Sequence, residues 1–238
     1  AFASDLRLKS HYQERYGAGF LSKEMTIQDY PLTYEELEPY FAQWEDVAAV
    51  SGKAGNLRNQ IVPGGNRWEA PRSSDYPLPA LKSVYGAQVF GSAANQLGYA
   101  SFPVPAANAS APYTNQYGVR LGPCNFCGFC EGYGCYMYSK ASPQTSILPA
   151  LKSKENFTLK PRSHVLRIET DSTGKIATGV TYVDTQGQEI FQPAKIVILC
   201  AFQMHNVRLL LLSKIGKPYE PDSGLGVVGK NYAYHMNS

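Results

Sequence analysis

Long hydrophobic runs are missing from this 238-residue sequence. The longest unbroken apolar stretch, Ile196 to Phe202, falls far short of the roughly 20 residues that cross a bilayer, so no membrane-spanning helix is expected. A strong charge of one sign is missing too. The net charge is +3 and no five basic residues adjoin, which argues against a nucleic-acid partner. Neither an initiator methionine nor a signal peptide is visible; the chain opens Ala1-Phe2-Ala3, and its true start is expected elsewhere. A phosphate-cradling glycine loop is also lacking. Gly17-Ala18-Gly19 has no strand before it, no third glycine and no helix after it, and reads as a helix stop. What is present, 44% apolar and 12% aromatic residues with 17 tyrosines, can bury a core in one large domain or two small ones.

Four of the five cysteines stand in one stretch, Cys124-Asn-Phe-Cys127-Gly-Phe-Cys130-Glu-Gly-Tyr-Gly-Cys135. Zinc sites of four thiolates usually take two knuckles a dozen or more residues apart, and Cys130 and Cys135 are too close for that. Disulfides can form from Cys-x-x-Cys, although four half-cystines in so short a stretch make strained loops. Cys-x2-Cys-x2-Cys opens the ferredoxin ligand run, so an iron–sulfur centre fits best. The usual fourth ligand is missing, since Cys135 comes late and precedes Tyr136. Disulfides or free thiols, and zinc, stay open beside that reading.

Along the chain, residues 5–16 read as a short amphipathic helix carrying Leu6, Leu8 and Tyr12. Thr33-Tyr-Glu-Glu36 is a capping box, followed by Leu37, Tyr40, Phe41, Trp44 and Val47 at helical spacing, with a kink expected at Pro39. Glu35, Glu36, Glu38, Glu45 and Asp46 read as a solvated acidic face. Residues 51–79 read as a wandering surface segment, and residues 79–97 as a second helix capped by Gly98. Beyond the cysteines the period changes to two. Strands are expected at 157–159, 164–170, 176–183 and 189–192, with turns at Asp171-Ser-Thr-Gly174 and Asp184-Thr-Gln-Gly187. Lys195-Ile-Val-Ile-Leu-Cys200 does not alternate, which predicts a parallel strand buried on both faces, with a helix over 203–213 after it. No other run of that kind exists in the chain, so the rest of its sheet is expected outside this sequence.

An antiparallel excursion returning to a Val-Ile-Leu strand resembles the middle of an FAD-binding domain. Leu209-Leu-Leu-Leu-Ser213-Lys-Ile215-Gly216, Gly226-Val-Val-Gly229-Lys-Asn231 and Thr33-Tyr-Glu-Glu-Leu-Glu-Pro-Tyr40 resemble elements of the glucose–methanol–choline (GMC) oxidoreductases. With the cysteine run, the resemblance is to the branch of flavoprotein subunits that includes gluconate 2-dehydrogenase, fructose dehydrogenase and bacterial FAD-dependent glucose dehydrogenase. The fold class it implies is α/β with α+β insertions: part of an FAD-binding parallel sheet with a three-stranded antiparallel meander, plus helical and long-loop segments. The implied division is a helical and loop section bordering the substrate domain (1–122), a cysteine-cluster loop (123–140) and the central part of the FAD-binding domain (141–238).

The resemblance further implies FAD-dependent oxidation of a CH–OH group on a sugar, polyol or sugar acid. Val165 stands at the family position that contacts adenine through its backbone, and Cys200 and Ala201 at the site that closes on the cofactor. The family usually has Ala-Gly there and a glycine where this chain has Lys214. In the cluster-bearing branch a 3Fe-4S centre passes electrons toward a cytochrome c subunit, and three of Cys124, Cys127, Cys130 and Cys135 would hold it. A small chaperone-like subunit and a periplasmic, membrane-associated location are implied in the same way. The family's glycine-rich loop and catalytic histidine fall before Ala1 and after Ser238; His11, His164, His205 and His235 read as surface or packing residues. Two competing readings are a flavin enzyme with structural cysteines and an electron-transfer or metal module without flavin.

Overall fold

The computed structural model of the protein describes residues 3–22 and 25–232, and the chain divides into two compact units, residues 1–158 and 159–238. The first unit begins with a 3-10 turn, Ala3–Leu6, and helix α1, Leu8–Tyr16. Gly17, at φ +90°, ends α1 by donating its N–H to the Gln13 carbonyl at 2.9 Å. No residue of α1 is buried. Its aromatic side chains stack on one another instead, with Tyr16 and Phe20 ring centroids 4.5 Å apart.

Helix α2, Tyr34–Val47, starts at the expected capping box. Glu36 N–H donates to Thr33 Oγ1 at 3.2 Å, and Thr33 N–H donates to Glu36 Oε2 at 2.8 Å. The helix runs on past Pro39 for two further turns. Its acidic side is only in part a solvated face: Glu35 and Glu36 are exposed as expected, whereas Glu38, Glu45 and Asp46 are engaged, which corrects the sequence reading for those three. Glu38 is buried and accepts from both Ser73 N–H and Ser73 Oγ at 2.9 Å. Glu45 holds Arg72 in a two-pronged pair, and Asp46 accepts from Gln116 N–H at 3.2 Å and from the Tyr113 hydroxyl. The aromatic residues Tyr40, Phe41 and Trp44 are exposed. The physical reason is the surface that α2 meets: it offers N–H groups, hydroxyls and one guanidinium, and carboxylates satisfy those better than aromatic rings do.

Nor does the stretch 51–79 wander. Strand β1, Ser51–Gly52, leads into a tight hairpin of β2, Asn56–Leu57, and β3, Gln60–Ile61, turning through Arg58 and Asn59 at φ +50° and +66°. Strand β4, Leu78–Pro79, then returns to pair parallel with β1. Buried Glu69 accepts Gly55 N–H and, at 3.3 Å, Asn56 N–H. Arg72 lies 3.8 Å from the Tyr76 ring centroid, and its side chain is only 8% exposed.

Helix α3, Tyr85–Gln96, starts six residues later than the sequence pattern suggests and is capped at Gly98, φ +82°. No residue of α3 is buried, and Tyr85 and Phe90 are 81% and 75% exposed. An apolar stripe is covered only where an opposing surface exists, and the described residues of this unit supply none. Strands β5, Tyr113–Thr114, and β6, Arg120–Leu121, form a hairpin. Asn115 is buried between them. Its Nδ2 donates to the Val47 and Ser146 carbonyls at 3.1 and 2.7 Å, tying α2 to the short helix α4, Pro143–Ser146, which continues into α5, Leu148–Leu151. The core is Ala49, Leu78, Ala109 and Leu121, flanked by Ala111, Tyr113 and Ala141.

The second unit is the expected meander. Strands β7, His164–Thr170, β8, Ala177–Val183, and β9, Glu189–Pro193, pair antiparallel in that order. Both turns are held by aspartates: Asp171 Oδ1 accepts from Lys175 and Ile176 N–H, and Asp184 Oδ1 from Gln186 and Gln188 N–H. Residues 157–159 join no ladder. Helix α6, Gln203–Leu212, docks on β7: buried Leu209 and Ile168 face the interior, and Ser213 Oγ accepts Ile168 N–H at 2.8 Å. The parallel strand expected at Lys195–Cys200 does not form. Those residues pair with nothing among the described residues, and Ile196 and Ile198 are 78% and 79% exposed. A strand exists only through its neighbours, and this one has none to hydrogen-bond.

Candidate functional site

The cysteine segment is a loop with a closed neck. Ala109 lies at its base: its carbonyl accepts from Cys124 N–H at 2.8 Å and from Ser139 Oγ at 3.1 Å, and its N–H donates to the Ser139 carbonyl at 3.1 Å. Opposite, a side chain added at Gly122 would place its first carbon 2.2 Å from the Met137 carbonyl oxygen, so only glycine lets the two legs approach. Above the neck, the Asn125 amide meets the Tyr136 hydroxyl, and Lys140 Nζ donates to the carbonyls of Cys130 and Tyr133.

All four thiols of the loop are free, as is Cys200. Backbone N–H groups, first that of Lys140 and then those of Ser139 and Met137, hold the Cys135 thiol below its ordinary range against an opposing effect of burial. Yet the sulfurs are not gathered. Among the described residues no three His, Cys, Asp or Glu side chains stand close enough to hold a metal ion. Cys124, Cys127, Cys130 and Cys135 share a loop without forming a ligand set, and as placed they do not fit an iron–sulfur centre. Spacing along the chain constrains how near thiols can come, whereas glycines and left-handed residues such as Phe126, φ +55°, decide whether they do.

The second candidate lies in the 159–238 unit. Val165 is half-buried on β7, which is the edge strand of its sheet and so has one backbone edge unpaired by strands. Its pairing with Tyr182 is followed by a register shift before Arg167. Cys200 and Ala201 are exposed in the turn leading into α6. One residue there was not singled out from the sequence. Asn206 reaches back from the first turn of α6, its Oδ1 accepting Ala201 N–H at 2.8 Å and its Nδ2 facing the Leu199 carbonyl at 3.4 Å. An asparagine just inside a helix start is the signal that could have found it. Phe202 stands at φ +70° and ψ 150°. Lys214 stands at φ +55°.

His164 and His205 are exposed and His11 is half-buried, while His235 lies outside the described residues. An open groove of about 1140 Å³ runs along α3 past Leu81, Phe90 and Phe102, and no charged residue lines it. No helix among the described residues is long and apolar enough to cross a membrane.

A profile of the GMC oxidoreductases matches residues 33–237. The chain is 53% identical over 233 residues to the gluconate 2-dehydrogenase flavoprotein of Pantoea cypripedii, covering 97% of this chain and 38% of that protein. It is 27% identical over 210 residues to the fructose dehydrogenase large subunit of Gluconobacter japonicus, covering 87% and 35%. To the 6'''-hydroxyparomomycin C oxidase of Streptomyces lividus it is 29% identical over 199 residues, covering 83% and 33%. The chain thus spans between a third and two fifths of the length of these relatives. The sequence elements at Thr33, Leu209 and Gly226 and the meander that precedes α6 have one common explanation: this chain belongs to the GMC oxidoreductase family.

Proposed function

We propose that this chain is the central part of an FAD-dependent dehydrogenase that oxidises a CH–OH group of a sugar, polyol or sugar acid. The observation that carries the proposal is the 53% identity to a gluconate 2-dehydrogenase flavoprotein, sustained over 97% of the chain. When bound, FAD accepts the hydride from the substrate carbon. The chain's part is to hold it. Val165, on the edge strand β7, offers backbone to the adenine. The Cys200–Ala201 turn, at the start of α6, closes on the cofactor.

Anaerobic titration of the full-length protein with gluconate, glucose, fructose and a polyol series tests this. Bleaching of the oxidised flavin bands by a member of the series is the expected result. A protein that binds no flavin, or whose flavin none of these reduces, overturns it. In a second reading the electrons leave through an iron–sulfur centre toward a cytochrome subunit of a periplasmic complex. The spacing of Cys124, Cys127 and Cys130 favours that reading, and the placement of the four sulfurs does not. Iron and sulfide analysis after anaerobic purification decides it.

A further inference from the structure

We propose that Asn206 is a positioning residue that sets which face of the Cys200–Ala201 peptide meets the bound FAD; this rests on the reading that this turn abuts FAD. Three observations carry it. The segment before the turn has no ladder partner among the described residues, so strand pairing does not orient its peptides. Phe202 has no side-chain cap to offer α6 and sits in a backbone region that side-chain-bearing residues rarely adopt, which persists only where neighbouring bonds enforce it. Asn206 supplies those bonds. Its Oδ1 accepts Ala201 N–H at 2.8 Å, its Nδ2 faces the Leu199 carbonyl at 3.4 Å, and its own N–H donates to the Phe202 carbonyl at 2.8 Å.

The consequence follows from peptide planarity. No cis bond occurs among the described residues, so the Cys200 carbonyl points opposite to Ala201 N–H. With that N–H turned back into α6, the turn presents a carbonyl to whatever lies on its outer side. The geometry therefore selects a hydrogen-bond donor on the cofactor, such as a ribityl hydroxyl, and excludes Ala201 N–H as a donor to it. Alanine at 206 would free the peptide to rotate. Aspartate would keep the acceptor for Ala201 N–H, add a negative charge favoured at a helix N-terminus, and lose only the donor to Leu199.

The test uses the full-length holoenzyme and its flavin-free form, with Asn206→Ala and Asn206→Asp beside the parent. FAD titration of the flavin-free proteins should show about tenfold weaker binding for Asn206→Ala, the effect of one lost hydrogen bond on a cofactor contact, and binding within about threefold of the parent for Asn206→Asp. A change in unfolding temperature alone, with the FAD affinity of Asn206→Ala at the parent value, overturns the proposal and leaves Asn206 a plain helix cap. If Asn206→Ala does not fold, Asn206→Ser, whose hydroxyl is too short to reach Ala201 N–H, takes its place with the same expectation. A parent protein that binds no FAD overturns the function reading, and this inference with it.

Discussion

Lys214→Gly should make the protein more stable, although it removes a charged side chain from a helix end. Helix α6 closes in a Schellman arrangement: Ile215 N–H donates to the Leu210 carbonyl at 2.9 Å and Lys214 N–H to the Leu211 carbonyl at 3.2 Å. The arrangement forces the residue after the cap into the left-handed region, and Lys214 sits there at φ +55°. A side chain at such φ costs about 1 kcal/mol relative to glycine, part of which glycine gives back through its freer unfolded chain. Lysine offsets some of the cost, because a cation near a helix C-terminus contributes about 0.3 kcal/mol at an exposed position. Lys214 is exposed and no packing is lost with it. The informative comparison is with Lys214→Ala, which loses the cation and keeps the strained backbone. Glycine should exceed alanine by up to about 1 kcal/mol, or about 4–8 °C in unfolding temperature for a cooperative unit of 60–100 residues such as 159–238. Differential scanning calorimetry at moderate salt measures it on all three proteins. A glycine variant no more stable than the alanine variant would show that residue 214 is not held left-handed, and the closing bonds of α6 would be refuted with it.

Three further outcomes follow from bonds already described. Arg72→Leu should cost about 3–5 kcal/mol in denaturant unfolding, because it leaves Glu45 partly buried without its cation; the double variant Arg72→Leu/Glu45→Leu should recover much of that loss. Ser213→Ala should cost about 1–3 kcal/mol by stranding Ile168 N–H on the outer edge of β7, and hydrogen exchange at that amide should rise with it. Glu36 is held below its ordinary value of 4.5 by hydrogen bonds with the backbone and side chain of Thr33, so its share of stability is complete above 4.5 and is lost as pH falls through the lower folded value. Unfolding scans of Glu36→Gln against the parent should differ at neutral pH and converge on acidification through that window; a gap unchanged in acid counts against the box.

Local chemistry was legible in the sequence, and what depended on distant partners was not. Thr33 and Glu36 satisfy each other within one helical turn, so their spacing announces their structure. Asp171 and Asp184 likewise fold their turns with no outside help. Glu38 and Glu45 misled because a carboxylate looks equally solvated in a sequence whether it faces water or a guanidinium that arrives 27 residues later, as Arg72 does for Glu45. The Ile196–Cys200 run shows the converse. Its composition announces a buried strand, but burial is conferred by neighbouring strands, and the described residues hold none. The apolar side of α3 is exposed for the same reason. Within the candidate site, the family's pattern pointed to Val165 and the turn at Ala201. Asn206 needed coordinates, because its role lies in two bonds that reach backward along the chain.

The pinch at Gly122 and Met137 makes the cysteine loop a cassette. What fixes its ends, the Ala109–Ser139 pairing and the glycine that admits the opposite leg, lies at its neck. Changes confined to residues above the pinch should therefore leave the packing of the alanine-rich core beneath intact. Such changes would separate the chemistry of the sulfurs from the question of whether the domain folds.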